Sequence, residues 1–112
     1  MRFLLLIGGR HVEGMTSKDV CESPEGRAWV ADMERRGRFR AGELLRPPNE
    51  AATVRVRDGE VLVSDGPFAE TKEQVGGYTV LDCTSLDEAV ALAATHPAAK
   101  GGTIEVRPIW EP

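Results

Sequence analysis

The period of the apolar positions changes several times along the chain, and each change marks an element. Phe3-Leu4-Leu5-Leu6-Ile7 is an unbroken apolar block too short for a helix, which predicts a strand buried on both faces. Gly8-Gly9 and the polar stretch to Glu22 read as a loop carrying His11 and Cys21. Ser23-Pro24-Glu25 then supplies a serine cap, a first-turn proline and a first-turn acid. Trp29, Val30 and Met33 fall on one stripe behind it, and Gly37 is placed to end a helix of about 13 residues.

The second half returns to period two. Arg40–Arg46 predicts a strand closed by Pro47-Pro48-Asn49. Ala52–Arg57 alternates into Asp58-Gly59, and a second β-branched run, Glu60–Val63, follows; this is the pattern of a tight hairpin. Gly77–Asp82 reads as a further strand. Ser85-Leu86-Asp87-Glu88 has the form of a capping box, and Leu86, Ala89, Val90 and Ala93 recur at helical spacing to about Thr95, where Pro97 stops the helix. Lys100-Gly101-Gly102 reads as a turn. Thr103–Ile109 is the last strand, with Ile104 and Val106 on one face and Thr103, Glu105 and Arg107 on the other.

Strand, helix, strand, hairpin, strand, helix, strand is the order of an α+β, ferredoxin-like two-layer sandwich with an extra hairpin, here a single domain over residues 1–112. Two helices cover only one face of such a sheet, yet the first strand is apolar on both. A second copy of the chain, packed sheet against sheet, is therefore the expected cover, and the protein is expected to be a homodimer. A ligand pocket is expected between the sheet and that cover, where Thr103, Glu105 and Arg107 lie among apolar neighbours. An internal Glu105–Arg107 ion pair is the structural alternative for those side chains.

Composition narrows the function by exclusion. With 41% hydrophobic and 29% charged residues in 112, and apolar runs such as Phe3–Ile7 far too short to span a bilayer, the chain has no membrane span, and no signal peptide is read at its start; a cytoplasmic location is expected. A net charge of −4 argues against nucleic-acid binding, and the one basic run, Arg35-Arg36-Gly37-Arg38-Phe39-Arg40, fits the C-terminal turn of the first helix. Cys21 and Cys83 are far apart and expected to be reduced. His96 stands at the end of the second helix, where the dipole favours a cationic imidazole, and His11 has no acidic neighbour but Glu13. No metal is expected from this pattern, and no cofactor, since phosphate-binding glycine loops, nucleophile elbows and Cys-x-x-Cys pairs are absent.

Candidate chemistry collects between the hairpin and the following strand. Asp65-Gly66-Pro67-Phe68 is explicable as turn machinery, through an aspartate that accepts a backbone N–H, a glycine free to take positive φ and a proline that fixes the next dihedral. Glu70-Thr71-Lys72-Glu73 is more polar than a connection requires. Its carboxylates suit a general base and Lys72 an anionic substrate; a solvated loop is the alternative.

Asp65-Gly66-Pro67-Phe68-Ala69-Glu70-Thr71-Lys72-Glu73, with Gly76-Gly77-Tyr78, Leu86-Asp87-Glu88-Ala89 and Ile104-Glu105-Val106-Arg107-Pro108, resembles the YCII-related family in its DGPF-containing branch. The resemblance covers nearly the whole chain. It implies a ferredoxin-like fold pairing into a dimeric α/β barrel like that of muconolactone isomerase, and a cofactor-independent enzyme acting on a small organic molecule in a barrel cleft. Association with extracytoplasmic-function sigma factors is also implied, which makes a non-catalytic ligand-binding or regulatory module the alternative. The histidine–aspartate pair of the wider family is not carried over: aligned on Pro24 and Pro97, this chain has Gly26 and His96 in those places. The resemblance leaves Asp65, Glu70 and Glu73 as catalytic candidates, and Lys72, Tyr78, His96 and Arg107 as ligand contacts.

Overall fold

The structure is a computed structural model that describes residues 1–9, 15–66 and 74–111. Strands β1 (Arg2–Gly8), β2 (Phe39–Leu44), β5 (Val75–Asp82) and β6 (Thr103–Pro108) form an antiparallel sheet in the order β2-β5-β1-β6. This order interleaves two split β-α-β units, the ferredoxin-like layout. Helices α1 (Ser17–Glu22) and α2 (Pro24–Arg35) connect the first pair of strands, and α3 (Leu86–Ala94) and α4 (Ala98–Gly101) the second. Strands β3 (Ala52–Arg57) and β4 (Glu60–Asp65) make a separate two-stranded ribbon between β2 and β5.

Strand register assigns the faces. Phe3, Leu5 and Ile7 of β1 are buried, and they stand across from Leu81, Thr79 and Gly77 on β5. Trp29 and Met33 of α2 and Ala89, Leu92 and Ala93 of α3 close the core over this side. Leu4 and Leu6 point the other way, beside Val80 and Tyr78 on β5 and Arg107 and Glu105 on β6. Within one chain Leu4 and Leu6 are only half-buried, because the helices reach one face alone.

The local signals are visible at the element ends. Ser23 caps α2 by accepting the Gly26 N–H at 3.1 Å, while its own N–H donates to the Val20 carbonyl at the end of α1, so one residue closes one helix and opens the next. Gly37 takes φ 71° just past the C-cap of α2. Asp58 and Gly59, at φ 51° and 78°, form the tight turn of the ribbon, a left-handed pair that Asp-Gly tolerates.

Other expectations are corrected. Residues 17–22 form a helix where a loop was expected, because Thr16 and Asp19 make a reciprocal capping box. Lys100 and Gly101 belong to the one-turn α4, not to a turn. At α3, Ser85 accepts the Glu88 N–H, but the Glu88 carboxylate reaches back to the Thr84 N–H and not to Ser85. Leu86 and Val90 are exposed; Leu92 takes the inward place. Strand β2 ends at Leu44 rather than Arg46, and β4 runs on to Asp65.

Beyond β6 the chain is tied to β1. The Ile109 N–H donates to the Arg2 carbonyl, and the Glu111 carboxylate accepts the Arg2 N–H at 2.9 Å. Between these ties Trp110 is 96% exposed.

Candidate functional site

On the helix-covered side, a cavity of about 310 Å³ opens where α1 and α2 approach β2 and β5. Ile7, Val30, Phe39 and Leu44 give it apolar walls, and Cys21, Thr79 and His96 are among its polar members. Helix-side residues of three different strands meet here because Ile7, Gly77 and Leu44 stand in register across the sheet. The glycine leaves room that a side chain would fill, since a Cβ at Gly77 would lie 3.2 Å from the Glu43 carbonyl.

His96 is the most enclosed polar group of the wall, only 2% exposed. Its Nδ1 accepts the Ala98 N–H at 2.9 Å, which requires a lone pair on that nitrogen and assigns the proton to Nε2. The reading of His96 as a cation at a helix end is corrected: the ring is buried, and Nδ1 is spent on a donor. The imidazole also meets the Trp29 ring edge-on, with centroids 4.7 Å apart at 67°. Trp29 is fixed in turn, its Nε1–H donating to the Leu92 carbonyl and the Thr95 hydroxyl, both at 3.0 Å.

Cys21 and Cys83 are free thiols. Burial, and then the nearby Glu22 carboxylate, push the Cys21 thiol above its ordinary range. Both causes disfavour the thiolate, so Cys21 is a weakly nucleophilic wall residue. Iodoacetamide at mildly alkaline pH is expected to alkylate it more slowly than free cysteine, with the rate climbing as pH rises through and beyond the ordinary thiol range. Timed quenching with peptide mass spectrometry measures this, and a rate equal to that of free cysteine would contradict it.

The candidates from sequence separate in space. His96 lines the cavity, and Tyr78 borders it. Strand alternation carries the Tyr78 ring to the uncovered face, beside Leu6 and Glu43. Arg107 lies on that uncovered face, where it is exposed and pairs with Glu105 at 2.5 Å, so the ion-pair alternative describes it in this chain. Asp65 ends β4 opposite Ala52, exposed on the ribbon, and does not line the cavity. Its neighbour Gly66, at φ 101°, donates to the Ala51 carbonyl and accepts the Thr53 hydroxyl, as turn machinery should. Glu70, Lys72 and Glu73, with the rest of the 67–73 stretch and His11, lie outside the described residues.

Cys21, Phe39 and Thr79 were not singled out as site residues. Thr79 carries the one readable signal: it is a polar residue on the inward face of β5, between Gly77 and Leu81, and is buried. Among the described residues no three His, Cys, Asp or Glu side chains gather as a metal site, and no helix is long and apolar enough to cross a membrane.

An antiparallel α+β sandwich with a small cavity beneath its helices defines the class of protein. The chain belongs to the YCII-related domain family, whose model matches residues 1–112. An uncharacterised protein of Rhizobium meliloti (strain 1021) is 49% identical over 67 residues, a stretch covering 58% of this chain and about half, 54%, of that relative. Among solved structures, 5-chloro-2-hydroxyhydroquinone dehydrochlorinase from Burkholderia phenoliruptrix AC1100, in complex with 2,5-dihydroxybenzoquinone, is similar with a TM-score of 0.50. That match is 18% identical and covers 99% of this chain and 94% of the other, a likeness of fold.

Proposed function

We propose that this chain, as a member of the DGPF branch of its family, acts without a cofactor on a small, largely apolar organic molecule held in the helix-side cavity. The observation that carries the reading is the wall itself: apolar residues surround a neutral imidazole, fixed in one tautomer by the Ala98 N–H and in one orientation by Trp29. A space of about 310 Å³ stands at the small end of ligand pockets and suits a single-ring molecule. The similar dehydrochlorinase, solved with a dihydroxybenzoquinone, supplies a reasonable first probe class. The working unit in this reading is a homodimer in the form of an α/β barrel, because the half-buried Leu4, Leu6 and Val80 leave the second sheet face short of a cover.

Binding without turnover is the second reading, a ligand-sensing module of the kind tied to sigma-factor signalling. The observation favouring it is that Asp65, the one proposed catalytic carboxylate among the described residues, does not line the cavity.

A thermal-shift series with single-ring phenols and quinones, beginning with 2,5-dihydroxybenzoquinone, tests both. A compound at a hundredfold excess over its Kd stabilises the fold by about 2.7 kcal/mol, which raises the Tm on the order of 10 °C. Val30→Phe fills the cavity and is expected to abolish the shift while leaving the unliganded fold intact. No shift from any compound, or a shift that survives Val30→Phe, overturns the cavity as the site. Chromatography of the bound compound after incubation then separates the readings, since turnover consumes it and sensing returns it unchanged.

A further inference from the structure

Among the described residues three polar side chains are buried, those of Thr53, Thr79 and His96. Two of them are satisfied inside the chain: the Thr53 hydroxyl donates to the Gly66 carbonyl, and the His96 Nδ1 accepts the Ala98 N–H, both at 2.9 Å. Thr79 differs. It is 5% exposed, yet among the described residues its hydroxyl makes no hydrogen bond. No fully enclosed polar side-chain atom of those residues goes without a partner, so this hydroxyl must reach open space, and the space that Thr79 borders is the helix-side cavity. An unpaired hydroxyl on the inward face of a strand is unfavourable, and valine would fill the same place with the same shape and a better strand preference. The fold has no use for the oxygen; a ligand does.

We propose that Thr79 determines the specificity of the cavity: its hydroxyl pairs with an oxygen carried by a single-ring ligand whose ring lies against Phe39. The inference rests on the cavity reading above and names the chemistry of the ligand, a phenol or a ring ketone and not a hydrocarbon. The sheet keeps one side of Thr79 clear. Its neighbour on β1 is Leu5, which offers no side-chain partner, and its neighbour on β2 is Gly42, which has no side chain at all. The Phe39 ring comes in over that glycine, since a Cβ there would lie 3.3 Å from two of the ring carbons. Hydroxyl and aromatic ring thus border the same space, within walls that are otherwise largely apolar. A ligand that expels water from the hydroxyl has to offer it a polar atom in exchange or lose affinity. Because a threonine hydroxyl both donates and accepts, a phenolic O–H and a quinone carbonyl each meet that need. A ring against Phe39 gains more than its buried area alone, which favours an aromatic or quinonoid body over an open chain.

Calorimetric titration with p-cresol and p-xylene, which differ by a hydroxyl in place of a methyl, on the wild type, Thr79→Val and Thr79→Ser is the test. The hydrocarbon is the more hydrophobic of the two, so the ratio of their Kd values in one protein mixes two effects. The change of that ratio between proteins isolates the hydrogen bond. Thr79→Val is expected to move the ratio about tenfold toward p-xylene, and Thr79→Ser to keep it near the wild-type value. Without ligand, the Tm of Thr79→Val should equal or exceed that of the wild type, because no bond within the chain is lost. A lower Tm would show that the hydroxyl serves the fold and overturns the assignment. A p-cresol affinity that Val30→Phe abolishes, with a ratio that Thr79→Val leaves unmoved, overturns Thr79 alone and leaves the cavity standing. A wild type that binds neither compound overturns the assignment as well, while the cavity itself falls only if the whole series of phenols and quinones fails.

Discussion

Gly26→Ala is expected to destabilise the fold by about 3 kcal/mol, the upper range for forcing a methyl into a packed site. The sign is what makes the test sharp. Alanine is the better helix former, and by propensity alone the change would stabilise α2 by about 1 kcal/mol. A Cβ at this position, however, would stand 2.3 Å from the Cys21 carbonyl oxygen and 2.6 Å from that of Val20. Both are backbone atoms at the end of α1, held there by the Ser23 elbow, and neither can swing aside as a side-chain tip would. Relief would require α1 to move, and Cys21 with it, out of the cavity wall. Urea unfolding monitored by circular dichroism measures the loss, and a midpoint equal to or above that of the wild type would show that the elbow yields freely. A side chain of any size at position 26 meets the α1 carbonyls first.

Trp29→Ala should cost about 3–5 kcal/mol, the range for truncating a buried aromatic residue. That is a large share of the ~5–15 kcal/mol by which folded domains are stable. Trp29 is 5% exposed and touches both ends of the problem, the core between the helices and the His96 wall of the cavity. Trp29→Phe separates its two contributions. Phenylalanine keeps most of the ring but gives up the Nε1–H bonds to Leu92 and Thr95. Those acceptors are not stranded, because the Thr95 hydroxyl already donates to the Leu92 carbonyl at 2.6 Å. The phenylalanine variant should therefore lose only about 1 kcal/mol. Chemical unfolding of the two variants checks the order. Equal losses would mean that the hydrogen bonds, and not the ring's volume, secure this junction.

Short-range chemistry was legible in the chain. Ser23-Pro24, Gly37, Asp58-Gly59 and Ser85 each act through a backbone neighbour a few residues away, and the structure shows each doing so. Helices α1 and α4 were not legible, since six and four residues are too few to display a 3.6-residue period. Helical spacing also leaves open which apolar side of α3 is covered, so Val90 was placed inward where Leu92 belongs. The cavity was out of reach for a different reason. Cys21, Phe39, Thr79 and His96 come from four segments, and only the sheet order and the elbow between α1 and α2 bring them together. Arg107 was read both as a ligand contact and as half of an ion pair. The distinction depends on whether Glu105 is within reach, which same-face spacing suggests and coordinates decide.

The two tryptophans occupy opposite environments, and this gives the protein a built-in pair of optical reporters. Trp29 is sealed against an imidazole, so its emission belongs at the blue end of the indole range and is shielded from aqueous iodide. Trp110 stands in solvent on a tail tied down at both sides, so it emits to the red and is open to the quencher, whatever the state of the core. Occupancy of the cavity will speak through the first signal. Any surface that settles over the C-terminal edge of the sheet will speak through the second.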